Sequence, residues 1–213
     1  MTVPEAQGPG DPDREDMLSL VGGEPEALDR LMARHGLAVF HFLGRMVGND
    51  ADAADLAQET FARLYQTRDR YRPDRAFGSW LYTLAANLAR NHLRWRNRHP
   101  AESLDQPAAE DAPSLREALP GPAENPAEQI AGAELKDAVR RAITHLPPAL
   151  REALVLVEFE DHSVRETAEI LAIPPRTVES RLFHARRLLR DRLQRWLSPA
   201  HPRPRPCPSA ARG

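Results

Sequence analysis

The chain has 213 residues, enough for one large domain or two small ones. Its 29 Lys+Arg against 31 Asp+Glu leave a net charge of −2, so the molecule as a whole is no generic polyanion binder. A single cysteine, Cys207 in a Pro/Arg-rich tail, excludes an intramolecular disulfide framework and a cysteine-rich zinc site. No apolar run approaches the length of a membrane span, and the acidic start MTVPEAQGPGDPDRED lacks an apolar signal region. A cytoplasmic chain with no membrane association is therefore expected.

Residues 1–24 carry scattered Gly, Pro and acids, and read as a disordered acidic N-terminus. From 25 to 100 the pattern is helical. Leu28, Leu31, Met32, Val39, Phe42, Leu43 and Met46 recur at three- and four-residue steps, and Gly48-Asn49 stops that helix. Asp50 or Asp52 caps the next helix, whose apolar stripe is Leu56, Phe61 and Leu64. The segment RDRYRPDRAFGS reads as a loop, because Pro73 lacks an N–H and clashes with a preceding helical turn. Gly78 or Ser79 opens a third helix with Trp80, Leu81, Leu84, Leu88 and Leu93 inward.

Residues 101–127 break the helical pattern. They hold Pro107, Pro113, Pro120, Pro122 and Pro126, and six acids against Arg116, which reads as a flexible acidic linker. A second helical domain is expected over 128–197. Ile130, Leu135, Val139, Ile143 and Leu146 form one amphipathic face, and Pro147-Pro148 separates it from the following helix. Ser163 and Glu166 make a capping box, Ala172-Ile173-Pro174 a three-residue turn, and Pro175 suits a first helical position. Val178, Leu182, Ala185 and Leu189 form the buried stripe of a longer basic helix. Short helix, tight turn and basic helix together make a helix-turn-helix. The tail 198–213 is Pro-rich and basic, and reads as disordered. No stretch alternates at period two, so the fold class is all-α with two small helical domains.

Charge is segregated along the chain. Residues 85–100 hold Arg90, Arg94, Arg96 and Arg98 with no acid. Residues 175–197 hold seven arginines against Glu179 and Asp191. Two basic helices on two helical domains form a nucleic-acid footprint. On the second, Arg176, Ser180 and Arg187 oppose the apolar stripe, flanked by Thr177, Arg181, Phe183 and His184. These types contact phosphates and base edges in a major groove. A Walker loop, GxGxxG and HExxH are all missing, and Asp52, Asp55 and Glu59 lack an EF-hand context. Neither metal nor cofactor is expected, and a nuclease is disfavoured. An ordinary helix-turn-helix regulator would account for 163–195 but not for the acidic helix near 52–59 or the basic one over 77–98.

Three segments carry a resemblance to a known family. DAADLAQETFARLYQ (52–66) is similar to region 2.2 of the extracytoplasmic-function (ECF) sigma factors of the sigma-70 family. FGSWLYTLAANLARNHLRWRNR (77–98) is similar to regions 2.3–2.4, and 146–193 is similar to region 4. The resemblance implies a non-enzymatic promoter-specificity subunit of RNA polymerase, with residues 25–100 as region 2 and 128–197 as region 4. It implies that Asp52, Asp55, Leu56, Gln58, Glu59 and Phe61 bind the clamp of the largest polymerase subunit, and that region 4 meets the flap. Arg70, Tyr71, Arg75, Asn87, Arg90, Arg94 and Arg96 fall at positions that meet the −10 element. Arg176, Thr177, Ser180, Arg181, His184 and Arg187 fall where the −35 element is read. An anti-sigma factor is the implied regulator. The chain departs from the family's pattern at Asn91, Ala172, Arg176, Glu179 and His184. Trp80 is read as core rather than as a base stack.

Overall fold

The computed structural model describes residues 10–99 and 126–197. Among these residues there are eight α-helices, one 3-10 turn and no strand. In chain order they are α1 (Pro12–Val21), α2 (Glu26–Val47), α3 (Asp50–Gln66), the 3-10 turn Arg68–Arg70, α4 (Phe77–Arg98), α5 (Pro126–Thr144), α6 (Pro148–Glu158), α7 (Val164–Leu171) and α8 (Pro175–Leu197). The all-α reading holds.

The first unit, α1–α4, packs around α2. Its interior holds Phe42, Phe77, Leu31, Leu43, Met46, Leu64 and Leu81. Helix α1 corrects the expectation of disorder over 1–24, within which residues 1–9 lie outside the described residues. Asp11 caps the helix by accepting from the Asp13 N–H, Pro12 fits the first turn, and Met17 and Leu20 are buried. Two of the acids that suggested disorder, Asp13 and Asp16, are paired instead. Asp16 accepts from Arg30 Nε at 2.6 Å and from Arg34, while Asp13 meets Arg34 Nε and His35 Nε2, each at 2.8 Å. Burial alone pushes the Asp16 carboxyl up, and the hydrogen bonds from Arg34 and Arg30 outweigh it, leaving its value below the usual one.

Two expected caps shift. Asn49, not Asp50 or Asp52, caps α3, its side chain accepting from the Asp52 N–H at 3.0 Å. Helix α4 starts at Phe77 with no side-chain cap. Met32 and Leu135, expected in apolar stripes, are exposed because they sit at the edges of their helix faces. The 101–127 linker lies outside the described residues except for its last two, which open α5. The tail 198–213 lies outside them as well.

In the second unit, α6 packs on α7 and α8, and α5 packs on α8, with Leu146, Leu154, Leu156, Ile170, Val178 and Leu182 buried. The two units dock. Helix α2 packs on α5 and α6, α4 packs on α7, and the apolar interiors form one continuous cluster. Gly48 ends α2 at φ 80°, where a Cβ would stand 3.1 Å from the Thr144 methyl of α5, so glycine answers both the left-handed backbone and the close approach.

Charged groups cross this seam. Arg151 is 6% exposed and donates to the Met46 carbonyl at the end of α2, to the Thr144 carbonyl, and to the Leu146 carbonyl at 3.0 Å. Glu160 accepts from Tyr82 Oη at 2.6 Å and from Arg45 Nη1 at 3.1 Å. The Arg45 guanidinium also lies 4.6 Å over the Phe159 ring. His162 meets Tyr82 edge-on with centroids 4.8 Å apart. Burial pushes Glu160 up, against the pull of Tyr82 and Arg45, and pushes His162 down, against Glu166 and Asp161.

Replacing Arg151 by Met leaves three carbonyls short of a donor. Urea unfolding of Arg151→Met is expected to show a loss of about 3 kcal/mol, on the scale of unsatisfied buried acceptors.

The two shifted groups act in opposite senses with pH. His162 titrates lower in the folded chain than its ordinary 6.5, so its contribution is complete above that pH and falls as pH drops through it. Glu160 titrates higher than its ordinary 4.5, so the folded chain gains relative stability as pH falls toward 4.5. As pH falls through 6.5, the urea midpoint of the wild-type chain is expected to fall relative to that of His162→Phe, which lacks the histidine's loss and keeps the glutamate's gain.

Candidate nucleic-acid interface

The helix-turn-helix forms as its local sequence dictates. Ser163 Oγ accepts from the Glu166 N–H at 3.2 Å, and the Glu166 carboxylate accepts from the Ser163 N–H at 2.8 Å. Both halves of the capping box are present. Helix α7 ends at Ala172 with φ 52° and ψ 47°, a left-handed conformation unusual for a residue with a Cβ. The Ile173 N–H then bonds to the Ala168 carbonyl at 3.0 Å, and Pro175 opens α8. Buried Val178, Leu182 and Ala185 hold α8 against its neighbours.

That anchoring leaves Arg176, Ser180, His184 and Arg187 exposed on α8, with Thr177 and Arg181 half-buried. Phe183 is also open at 64% exposure, its ring edge-on to His184. The expected −35 readers therefore share one surface. Arg186, on a flank, is bound to Glu158 of α6 at 2.5 Å.

On the first unit, Arg70, Arg75, Asn87 and Arg94 are exposed. Arg90 is half-buried and meets Glu152 of α6 at 3.3 Å. Arg96 donates to the Val47 carbonyl at 3.3 Å and lies 3.6 Å from Asp52. Tyr71 is only 8% exposed, its ring 5.5 Å from Trp80 and 6.5 Å from Phe77. In this conformation its face is spent on the core, so the aromatic expected to be open to a base is closed. Trp80 is half-buried and packs against the apolar cluster.

The expected polymerase-binding set divides by burial. Asp55, Gln58 and Glu59 are exposed on α3, with Glu59 3.7 Å from Arg63. Leu56 and Phe61 are interior side chains that fix the helix. Asp52 is turned toward α4, within 3.3 Å of His92 and 3.6 Å of Arg96.

Docking brings the two basic helices to one place. Arg90 and Arg94 of α4 and Arg181 of α8 line a cleft of about 330 Å³, together with Glu152. Glu152 is 4% exposed, and burial pushes its carboxyl up despite Arg90, Arg181, Arg94 and Arg151 around it. The seam residues Arg151, Glu152 and Glu160 escaped sequence reasoning. The one available signal was a charge pair, Arg151-Glu152, embedded in the apolar run of LREALVLV. Among the described residues no cluster of His, Cys, Asp and Glu could hold a metal, and no helix is long and apolar enough to cross a membrane.

The family model for Sigma-70 region 2 matches residues 31–99, and that for Sigma-70 region 4 matches 136–189. The RNA polymerase sigma-H factor of Pseudomonas aeruginosa is 36% identical over 180 residues, covering 84% of this chain and 92% of that protein. The ECF RNA polymerase sigma-E factor of Escherichia coli K12 is 35% identical over 176 residues, covering 81% and 89%. The chain belongs to the ECF sigma factors of the sigma-70 family. It is thus a sigma factor, one that directs promoter-specific transcription initiation. Two solved structures share the fold. CnrH in complex with the cytosolic domain of CnrY aligns with a TM-score of 0.63 at 24% identity, covering 87% of this chain and 99% of that one. The Bartonella quintana sigma factor RpoE in complex with the anti-sigma factor NepR aligns at 0.61 and 21% identity, covering 78% and 96%.

The left-handed Ala172 generates a stability prediction. Glycine carries no Cβ penalty there, so Ala172→Gly is expected to raise stability by roughly 0.5–1 kcal/mol. Urea unfolding measures it.

Proposed function

We propose that this sigma factor performs no chemistry itself and lends promoter recognition to core RNA polymerase in the cytoplasm. The observation that carries this reading is one chain with two basic helices and a separate carboxylate-bearing face on α3. Asp55, Gln58 and Glu59 meet the clamp of the largest subunit, while Leu56 and Phe61 hold that helix rigid from within and Asp52 ties it to α4. Region 4 meets the flap. The loop around Arg70 and Arg75, with Asn87, Arg90, Arg94 and Arg96, captures the melted −10 strand. Arg176, Thr177, Ser180, Arg181, His184 and Arg187 read the −35 duplex. Residues 25–100, extended by α1, make the −10 domain, and the second domain ends near 197.

The docked arrangement is then a closed form. Two elements about 25 base pairs apart are separated by roughly 85 Å of duplex at 3.4 Å per step. Arg94 and Arg181, which line one cleft, cannot serve both at once. Tyr71 is likewise turned inward in this form and becomes available to a base only if the loop rearranges. An anti-sigma factor that grips the closed form keeps the sigma factor off polymerase, a reading supported by analogy with the Bartonella quintana protein, whose structure is a complex with the anti-sigma factor NepR.

The test is run-off transcription with purified core polymerase on genomic fragments. The wild-type chain is expected to yield discrete promoter-specific transcripts. Reversing Asp55 and Glu59 to Lys together is expected to cut both transcript yield and affinity for core polymerase at least tenfold, with an unchanged helical circular-dichroism spectrum. Full activity of the double reversal would remove that face from the polymerase contact.

A further inference from the structure

Glu179 stands on the recognition helix where a negative charge opposes DNA binding, and the structure gives it no local employment. It is exposed in the second turn of α8, and among the described residues no hydrogen bond or ion pair reaches it. Arg186, the arginine on its own flank, is committed to Glu158 through two contacts, at 2.5 and 3.0 Å. Phe183 follows four residues on, so the two side chains are neighbours on one stripe, and Phe183 is 64% exposed. The stripe adjoins Arg176, Ser180 and Arg187, in the N-terminal half of the helix that enters a major groove.

We propose that Glu179 reads a base, and that the base is cytosine. The inference rests on α8 being the −35 recognition helix. A carboxylate pointed at phosphate is repelled, so it is tolerated in the groove only against a donor. Guanine shows N7 and O6 acceptors there, and thymine shows the O4 acceptor and a methyl group. Adenine pairs its N6 donor with the N7 acceptor, a pattern that suits an amide rather than a carboxylate. Cytosine N4 alone offers a donor without an adjoining acceptor on the same base. Phe183, one turn later, supplies the apolar surface that fits a thymine methyl within a step or two of that cytosine.

The experiment measures binding of holoenzyme, built from core polymerase and the full chain, to promoters with every single-base replacement in the −35 element. The wild-type chain is expected to prefer cytosine at one position by roughly tenfold or more over the other bases, as one good base contact allows. Glu179→Gln is expected to move the preference at that position toward adenine. Glu179→Ala is expected to level the four bases there to within about twofold, with preferences elsewhere unchanged. Retained −10 preferences in both variants certify that they fold and assemble. A uniform gain for Glu179→Ala on all −35 sequences would overturn the proposal, because Glu179 would then act on the phosphates alone. Unaltered base preferences in both variants would also overturn it. A wild-type holoenzyme indifferent to every −35 replacement would overturn the reading of α8 itself, and Glu179's role with it.

Discussion

The closed arrangement of this sigma factor depends on charged groups that leave water only because the opposite unit completes their hydrogen bonds. Arg151 belongs to region 4, yet one of its acceptors is the last-turn carbonyl of Met46 in region 2. Glu160 belongs to region 4, yet its donors Tyr82 and Arg45 are both in region 2. Both donors of Glu160 lie across the seam, whereas Arg151 takes two acceptors, Thr144 and Leu146, from its own unit and the third from the other. An apolar seam alone accepts many rotations of one helix pair on another, whereas these bonds fit one. They also make the seam separable. Hydration returns to a carboxylate or guanidinium on opening, so a docking surface carrying buried charge resists parting less than an apolar one of equal area.

That single docking sets the state of both proposed DNA surfaces. Helix α7, first of the helix-turn-helix pair, packs on α4, which carries the basic residues of region 2. Arg90 is consequently paired with Glu152 of the other unit, and Arg181 is turned into the shared cleft. Most of the remaining readers on α8 stay exposed. On the proposed reading, closure therefore withholds a few cations and, above all, fixes the distance between the two reading heads.

The parts legible in the sequence were those written in short-range chemistry. The capping box at Ser163 and Glu166, the Ala172 turn and the proline at the start of α8 each involve residues within four positions, and all formed as read. Helix α1 was missed because its acids resemble those of a disordered tail. Asp13 and Asp16 are in fact matched by Arg30, Arg34 and His35 on the next helix, a pairing visible only once α1 folds back. Tyr71 lies in a loop rich in arginine, and nothing local told that its ring turns inward onto Trp80 and Phe77. The seam was least legible. Arg45 and Glu160 are 115 residues apart, and no periodicity links them.

The same chain shows why burial, rather than charge alone, sorts its acids into roles. Asp52 and Asp55 lie three residues apart on α3, and by sequence they form one acidic face. Asp52 turns to α4, where Arg96 lies within ion-pair distance and also ties down the Val47 carbonyl. Its charge is spent on joining two helices, so little of it is left for a partner. Among the described residues Asp55 has no such cation, and Glu59 has only an exposed helical neighbour at 3.7 Å, a contact of small worth in water. Glu152 and Glu160 are consumed by the seam in the same way as Asp52. Asp55 and Glu59 thus stay on region 2 as an exposed acidic edge, and on α8 Glu179 stays beside the arginines of its open stripe. On the proposed reading it is these unspent charges, and not the total, that mark the surfaces for polymerase and DNA.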